Sequence, residues 1–230
     1  MRRTEQLKHF EIITVAKVGS SSFKNNLEKK YPCHHSHNLL RLKKSLSKGG
    51  ATIVSGIRNP IDRNLSYFFQ TYKDKFFNSF KTKQNKYQGE YCFVEELKES
   101  EEVDDYTKAF FNQSYLFSFN EWFEEFLDIT EIKDFDKQKG YQLYDLGNDN
   151  KLFFYKLEDL NSNIDEIKTI FDLQEWNTTN VGSKKKYSAI YKKTKEQIQY
   201  PQEYLDRLLT TDTMKIFYTE DEINSFYSIK

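Results

Sequence analysis

The chain has 230 residues with 35 basic and 35 acidic side chains. A formal charge of zero excludes a global electrostatic pull towards nucleic acid or an anionic membrane. Two cysteines exclude a disulfide scaffold, and 8 glycines with 3 prolines argue against long flexible linkers.

The basic N-terminus has no apolar stretch long enough for a signal peptide, and the apolar run Ile12 to Ala16 is too short to span a bilayer. The expectation is a cytoplasmic, soluble protein with one domain over residues 1–230. Aromatic residues make up 17% of the chain, so Phe and Tyr must supply much of its core.

Phe10 to Ala16 is nearly continuous in β-branched residues and predicts a buried strand. A small-residue loop, Gly19 to Ser22, and a helix from Phe23 to Lys30 follow. Asn38 to Leu46 predicts a short amphipathic helix that Gly49 and Gly50 end. Ala51 to Ile57 is a second buried strand. Pro60 suits the first turn of a helix, continuing as Ile61 to Phe77. Two strands joined through helices argue for a parallel βαβ unit.

Ser79 to Gly89 reads as a polar loop, and Asp104 to Leu127 as helix with one break. Tyr141 to Leu146 and Leu152 to Leu157 flank a Gly-Asn-Asp-Asn turn, as strand, turn, strand. Ser162 to Phe171 predicts a helix capped by Ser162. The region from Lys184 onward reads as helical apart from Pro201, with Thr219 and Glu222 as a capping box for the last helix.

Three segments carry chemistry. In Ile12 to Leu27 a strand is followed by Lys17, then Gly19-Ser20-Ser21-Ser22, then a helix. Glycine lets backbone approach an anion, the serines add hydroxyls, and the helix N-terminus adds about half a positive charge. No Gly-Lys-[Ser/Thr] occurs, so this is not a Walker A loop. Next, Arg58-Asn59-Pro60 follows the second strand, with Arg63 and Ser66 on the helix behind it. An arginine fork plus a hydroxyl two turns on suits a phosphate.

Finally, Cys33-His34-His35-Ser36-His37 gathers three of the four histidines. All lie within five positions, with no distant ligand pair, which argues against a metal site. A histidine suits proton removal near neutral pH. A polar loop with exposed histidines is the plainer reading.

Lys-x-Gly-Ser-Ser after a first strand resembles the 5′-phosphosulfate loop of sulfotransferases. Arg58-Asn59-Pro60 with Arg63 and Ser66 resembles their 3′-phosphate motif. His35 and His37 resemble the His-x-His of glycosaminoglycan uronyl 2-O-sulfotransferases. Lys184-Lys185-Lys186-Tyr187-Ser188 resembles the Asn-Lys-Trp-Tyr-Ser signature of bacterial proteins linked to capsular polysaccharide synthesis, without its Asn and Trp.

The resemblance implies a P-loop-like three-layer α/β/α fold with a central parallel sheet. It implies 3′-phosphoadenosine-5′-phosphosulfate (PAPS) as donor, no metal, and a carbohydrate acceptor such as a capsular or other surface glycan. Lys17 would stabilise the leaving phosphate, with Gly19, Ser20, Ser21 and Ser22 wrapping it. Arg58 and Ser66 would hold the 3′-phosphate, and Lys184 and Lys186 would close over the nucleotide. His37 would act as base and His35 in support, although the residues alone leave the order of the pair open. Glu158 and Asp159 of the Leu-Glu-Asp-Leu run are read as local caps or pairs. The acceptor would meet Tyr72 to Tyr91 or the aromatic stretch Tyr106 to Phe126, although such a stripe also suits a core. A nucleotide-dependent small-molecule or sugar kinase, or a non-catalytic nucleotide- or glycan-binding protein, would use similar anion loops.

Overall fold

A computed structural model describes residues 9–71, 102–113, 116–178 and 187–228. The first half alternates strands and helices: β1 (Phe10–Ile13), α1 (Ser20–Leu27), β2 (Cys33–Ser36), α2 (Leu39–Lys48), β3 (Thr52–Ile57) and α3 (Pro60–Thr71). Next come α4 (Val103–Phe111), α5 (Ser118–Thr130), the pair β4 (Tyr141–Asp145) and β5 (Lys151–Lys156), and α6 (Ile164–Ile170). The C-terminal region is helical: α7 (Ser188–Gln197), α8 (Gln202–Leu209), α9 (Asp212–Phe217) and α10 (Glu220–Tyr227).

The strands form one sheet in the order β2-β1-β3-β5-β4. β1 is parallel to β2 and β3, and β3 to β5, while β4 is antiparallel to β5. The fold is therefore α/β with a mostly parallel sheet rather than a wholly parallel one. The antiparallel edge arises from the tight turn at Gly147 to Asn150, which is too short for a crossover.

Alternation along the strands builds a core on each face. Phe10, Ile12, Val54, Phe153 and Tyr155 pack with Phe23 and Leu27 of α1 and Ile167 of α6. Ile13, Ile53, Ile57, Leu152 and Phe154 face the larger cluster, with α2, α3, α5 and α8. Helices thus cover both faces, an arrangement compatible with three α/β/α layers.

Several local readings need correction. The Cys-His-His-Ser run is not a loop but β2, an edge strand paired in register with β1. Ser20 to Ser22 are not loop residues but the first turn of α1, because Gly19 takes the left-handed turn before them at φ 85°. The first strand ends at Ile13 rather than Ala16. Ser162 does not cap α6; Asn163 precedes that helix, and the Ser162 hydroxyl donates to the Asp159 carbonyl at 2.9 Å.

The capping box at Thr219 and Glu222 is present with both of its hydrogen bonds. Phe77, the predicted loop at Ser79 to Gly89 and the Tyr72 to Tyr91 stretch lie outside the described residues. Among the described residues no helix is long and apolar enough to cross a membrane.

Candidate active site

From β1 the chain passes through α1 to β2 on one side, then through α2 to β3 on the other. The carboxyl ends of β1 and β3 therefore form a topological switch point, where open α/β sheets bind ligands. A cavity of about 420 Å³ opens there. Its walls include Lys17, Gly19 and Ser20 to Ser22 after β1, His35 in β2 and His37 just past it, Arg58 just past β3, and Ser66 on α3. Three motifs spread over fifty residues of sequence meet in one concavity. Lys184 and Lys186 lie outside the described residues, but Tyr187 beside them and Tyr191 line the same cavity.

The loop after β1 is held by side chains acting on its carbonyl groups. The Thr14 carbonyl lies 2.6 Å from His37 Nδ1, and the Ala16 carbonyl accepts from Arg63 Nε at 3.1 Å. Arg58 donates to the Lys17 carbonyl at 3.5 Å, and the Tyr155 hydroxyl to the Val18 carbonyl at 2.8 Å. The negative ends of these peptides are thus engaged within the fold. The first turn of α1 has no side-chain cap and no acidic residue. The loop is tight: Lys17 is left-handed at φ 75°, and a Cβ on Gly19 would lie 2.7 Å from Leu157 Cδ1. Among the described residues that line the cavity none is a carboxylate, so the wall offers an anion hydroxyls and positive charge.

On α3, Asp62, Ser66 and Gln70 succeed one another at i, i+4 and i+8, and the last two line the cavity. The Lys17 ammonium donates to Gln70 Oε1. Arg58 lies 4.0 Å from Asp62, and Lys195 of α7 pairs with Asp62 at 2.7 Å. Neither arginine is a solvated helix-end residue. Arg58 keeps 20% of its side-chain exposure, and Arg63 is buried, donating also to Asn64 Oδ1 at 2.9 Å. Arg63 therefore braces the loop instead of facing the cavity.

Glu158 accepts the Asn59 amide at 2.7 Å, at the entry to α3. The expected local cap or pair is therefore not what Glu158 makes: its carboxylate reaches across to Asn59 and also accepts from the Tyr218 hydroxyl at 3.3 Å. Asp159 does pair locally, with Lys156 at 3.0 Å.

The two histidines differ. A carbonyl can only accept, so Nδ1 of His37 carries a proton, which leaves Nε2 as the ring nitrogen free to act as an acceptor. The ring of His35 stands edge-on to it at 4.9 Å. Burial, reinforced by the neighbouring His37, holds His35 down to about 4, and its Nε2 is buried without a hydrogen-bond partner. His35 is thus a neutral ring at physiological pH, and His37 is the one oriented by the fold. Among the described residues no group of three His, Cys, Asp or Glu side chains is placed to hold a metal ion.

Sequence reasoning missed Tyr155, Gln70, Asn161 and Tyr191. Only the helical spacing of Gln70 behind Ser66 could have signalled one of them.

No protein family, curated protein or solved structure matches the chain.

Proposed function

We propose that the protein is a sulfotransferase, moving a sulfuryl group from PAPS to a hydroxyl of a carbohydrate such as a capsular or other surface glycan. The observation that carries this reading is the convergence of Lys17, the Gly19–Ser22 turn, His37, Arg58 and Ser66 on one cavity at the switch point. A donor with two separated phosphate groups needs two anion sites, and on this reading the Gly19–Ser22 turn and the Arg58 and Ser66 side chains would supply them.

On this reading Lys17 and the first-turn amides of α1 stabilise charge on the departing phosphate oxygen. Arg58 and Ser66 hold the 3′-phosphate and discriminate against nucleotides that lack it. His37 takes the acceptor proton at Nε2 as the hydroxyl oxygen bonds to sulfur. The sulfur–oxygen bond to the nucleotide breaks, and 3′-phosphoadenosine-5′-phosphate (PAP) leaves.

Calorimetry with PAP tests the reading. The expected result is micromolar binding to the wild type, at least tenfold weaker binding to Arg58→Ala, and much poorer binding of AMP. Equal affinity for PAP, AMP and ATP would overturn it and favour the kinase or binding-protein alternatives.

A further inference from the structure

His37 belongs to two concavities. Besides the nucleotide-sized cavity it lines a shallower groove of about 470 Å³, together with Asn38, Leu39, Leu40, Trp122 and Glu125. It is the one described residue common to both. A general base placed between a donor and an acceptor must touch both, so the second groove lies where an acceptor would enter.

The composition of the groove names the acceptor's chemistry. The Trp122 indole stacks on Phe126 at 5.2 Å and 13°, which backs one of its faces, and its Nε1 donates to the His37 carbonyl at 3.1 Å. The ring is thereby tied to the backbone of the base. Leu40 is 60% exposed and Trp122 is part-exposed, so the groove carries an apolar platform open to solvent. Beside it, Glu125 pairs with Lys43 at 2.9 Å, both about half exposed, and supplies an acceptor and a donor for hydroxyl groups. A pyranose has this same division, an apolar C–H face and a rim of hydroxyls.

Charge narrows the class further. Helix α5 reads Ser-Phe-Asn-Glu-Trp-Phe-Glu-Glu-Phe-Leu-Asp-Ile-Thr and has no basic residue. Glu121, Glu125 and Asp128 share one ridge at i, i+4 and i+7, and Lys43 offsets only Glu125. The described groove lining holds the Glu125 carboxylate and no lysine or arginine, and Lys43 of α2 is already paired with Glu125, so a sugar carboxylate would find no unpaired cation among those lining residues.

We infer that this groove, between the start of α2 and the outer side of α5, binds an uncharged pyranose of the acceptor and disfavours a uronate. The inference rests on the sulfotransferase reading for its role, but the binding it describes can be measured without turnover.

The probes are a neutral β-linked hexose tetrasaccharide and its counterpart containing hexuronic acid, titrated by calorimetry into the full chain with PAP present. The neutral sugar is expected to bind at least tenfold more tightly than the uronate-containing one. Leu40→Asp and Trp122→Ala are each expected to weaken it tenfold or more, while PAP affinity stays within twofold. Leu40 is solvent-exposed, so its variant tests the groove even if Trp122→Ala fails to fold. Normal PAP binding with no sugar binding would overturn the inference and leave the donor reading standing. So would sugar affinity indifferent to Leu40→Asp, or a preference for the uronate. If PAP fails to bind, the sulfotransferase reading falls. Neutral-sugar binding that Leu40→Asp abolishes would then still support the groove as a saccharide site.

Discussion

The loop after β1 and the groove beside α5 both border His37, yet they are built in opposite ways. Residues 14–18 form a wall of backbone whose carbonyls are engaged by His37, Arg63, Arg58 and Tyr155. Two of these four braces, Arg63 and Tyr155, are themselves buried in the core. The groove is a wall of side chains, Leu40, Trp122 and Glu125, standing on helix surfaces. The first wall is fixed by the fold; the second can change without disturbing any strand. Substitutions should therefore separate cleanly into those that perturb the fold with the site and those that perturb binding alone.

His37 is the residue on which the two walls meet, and it carries the largest expected effect. On the sulfotransferase reading, His37→Gln should lower turnover by about 10² to 10⁴-fold, the usual worth of a general base, while PAP affinity changes less than threefold. His35→Gln should lower turnover by less than about tenfold. Steady-state kinetics with saturating PAPS decides it, and the reverse ranking of the two variants would show that the anchored ring is not the base.

Next comes Arg63→Met, which leaves every described cavity-lining side chain in place. It frees the half-buried Ala16 carbonyl and removes a buried, hydrogen-bonded charge. Urea unfolding should show a loss of about 2–4 kcal/mol, with weaker PAP binding at temperatures where the protein remains folded. Leu40→Asp should leave unfolding within about 0.5 kcal/mol of wild type, as expected of an exposed position. Equal destabilisation by both would erase the distinction between the walls. Tyr155→Phe, which strips one donor from the Val18 carbonyl, should cost about 1–3 kcal/mol in the same measurement.

The smallest effect is a pH dependence. The folded-state pKa of His35 is about 4, below its ordinary value of 6.5. Between those values the unfolded chain binds the proton and the folded chain does not. Its contribution to stability is therefore present above pH 6.5 and is lost as pH falls towards 4. Thermal unfolding should show the melting temperature falling over this window, and the fall should be shallower in His35→Phe. An unchanged slope would show that the ring is not buried as described. A kinetic titration near neutral pH, by the same sign, does not belong to His35.

How much of this could be seen in the sequence depends on the segment. β1 and β3 announce themselves as β-branched runs because both of their faces are buried. β2 does not, because it is a four-residue edge strand of Cys, His and Ser whose hydrogen bonds to β1, not its hydrophobicity, make it a strand. The turn into α1 was legible at Gly19, since a glycine there reflects backbone geometry directly, but the serines behind it belong to the helix. Arg63 and Tyr155 were not, as their partners are backbone carbonyls, which every residue has. In the sequence Trp122 is one of a helical stripe of aromatics. Its neighbours Phe119, Phe123 and Phe126 are buried, and only three-dimensional packing sets the indole at the rim.

One further consequence follows from the engaged carbonyls of the loop. With those acceptors committed inside the fold, the loop would meet an anion with donors rather than with carbonyl oxygens, and donors respond to charge and tetrahedral shape rather than to the element at the centre. On the sulfotransferase reading it would hold the phosphate of the spent nucleotide as readily as that of the donor. Telling fresh donor from product then falls to the space beyond the phosphate, where the sulfuryl group sits between Lys17 and His37.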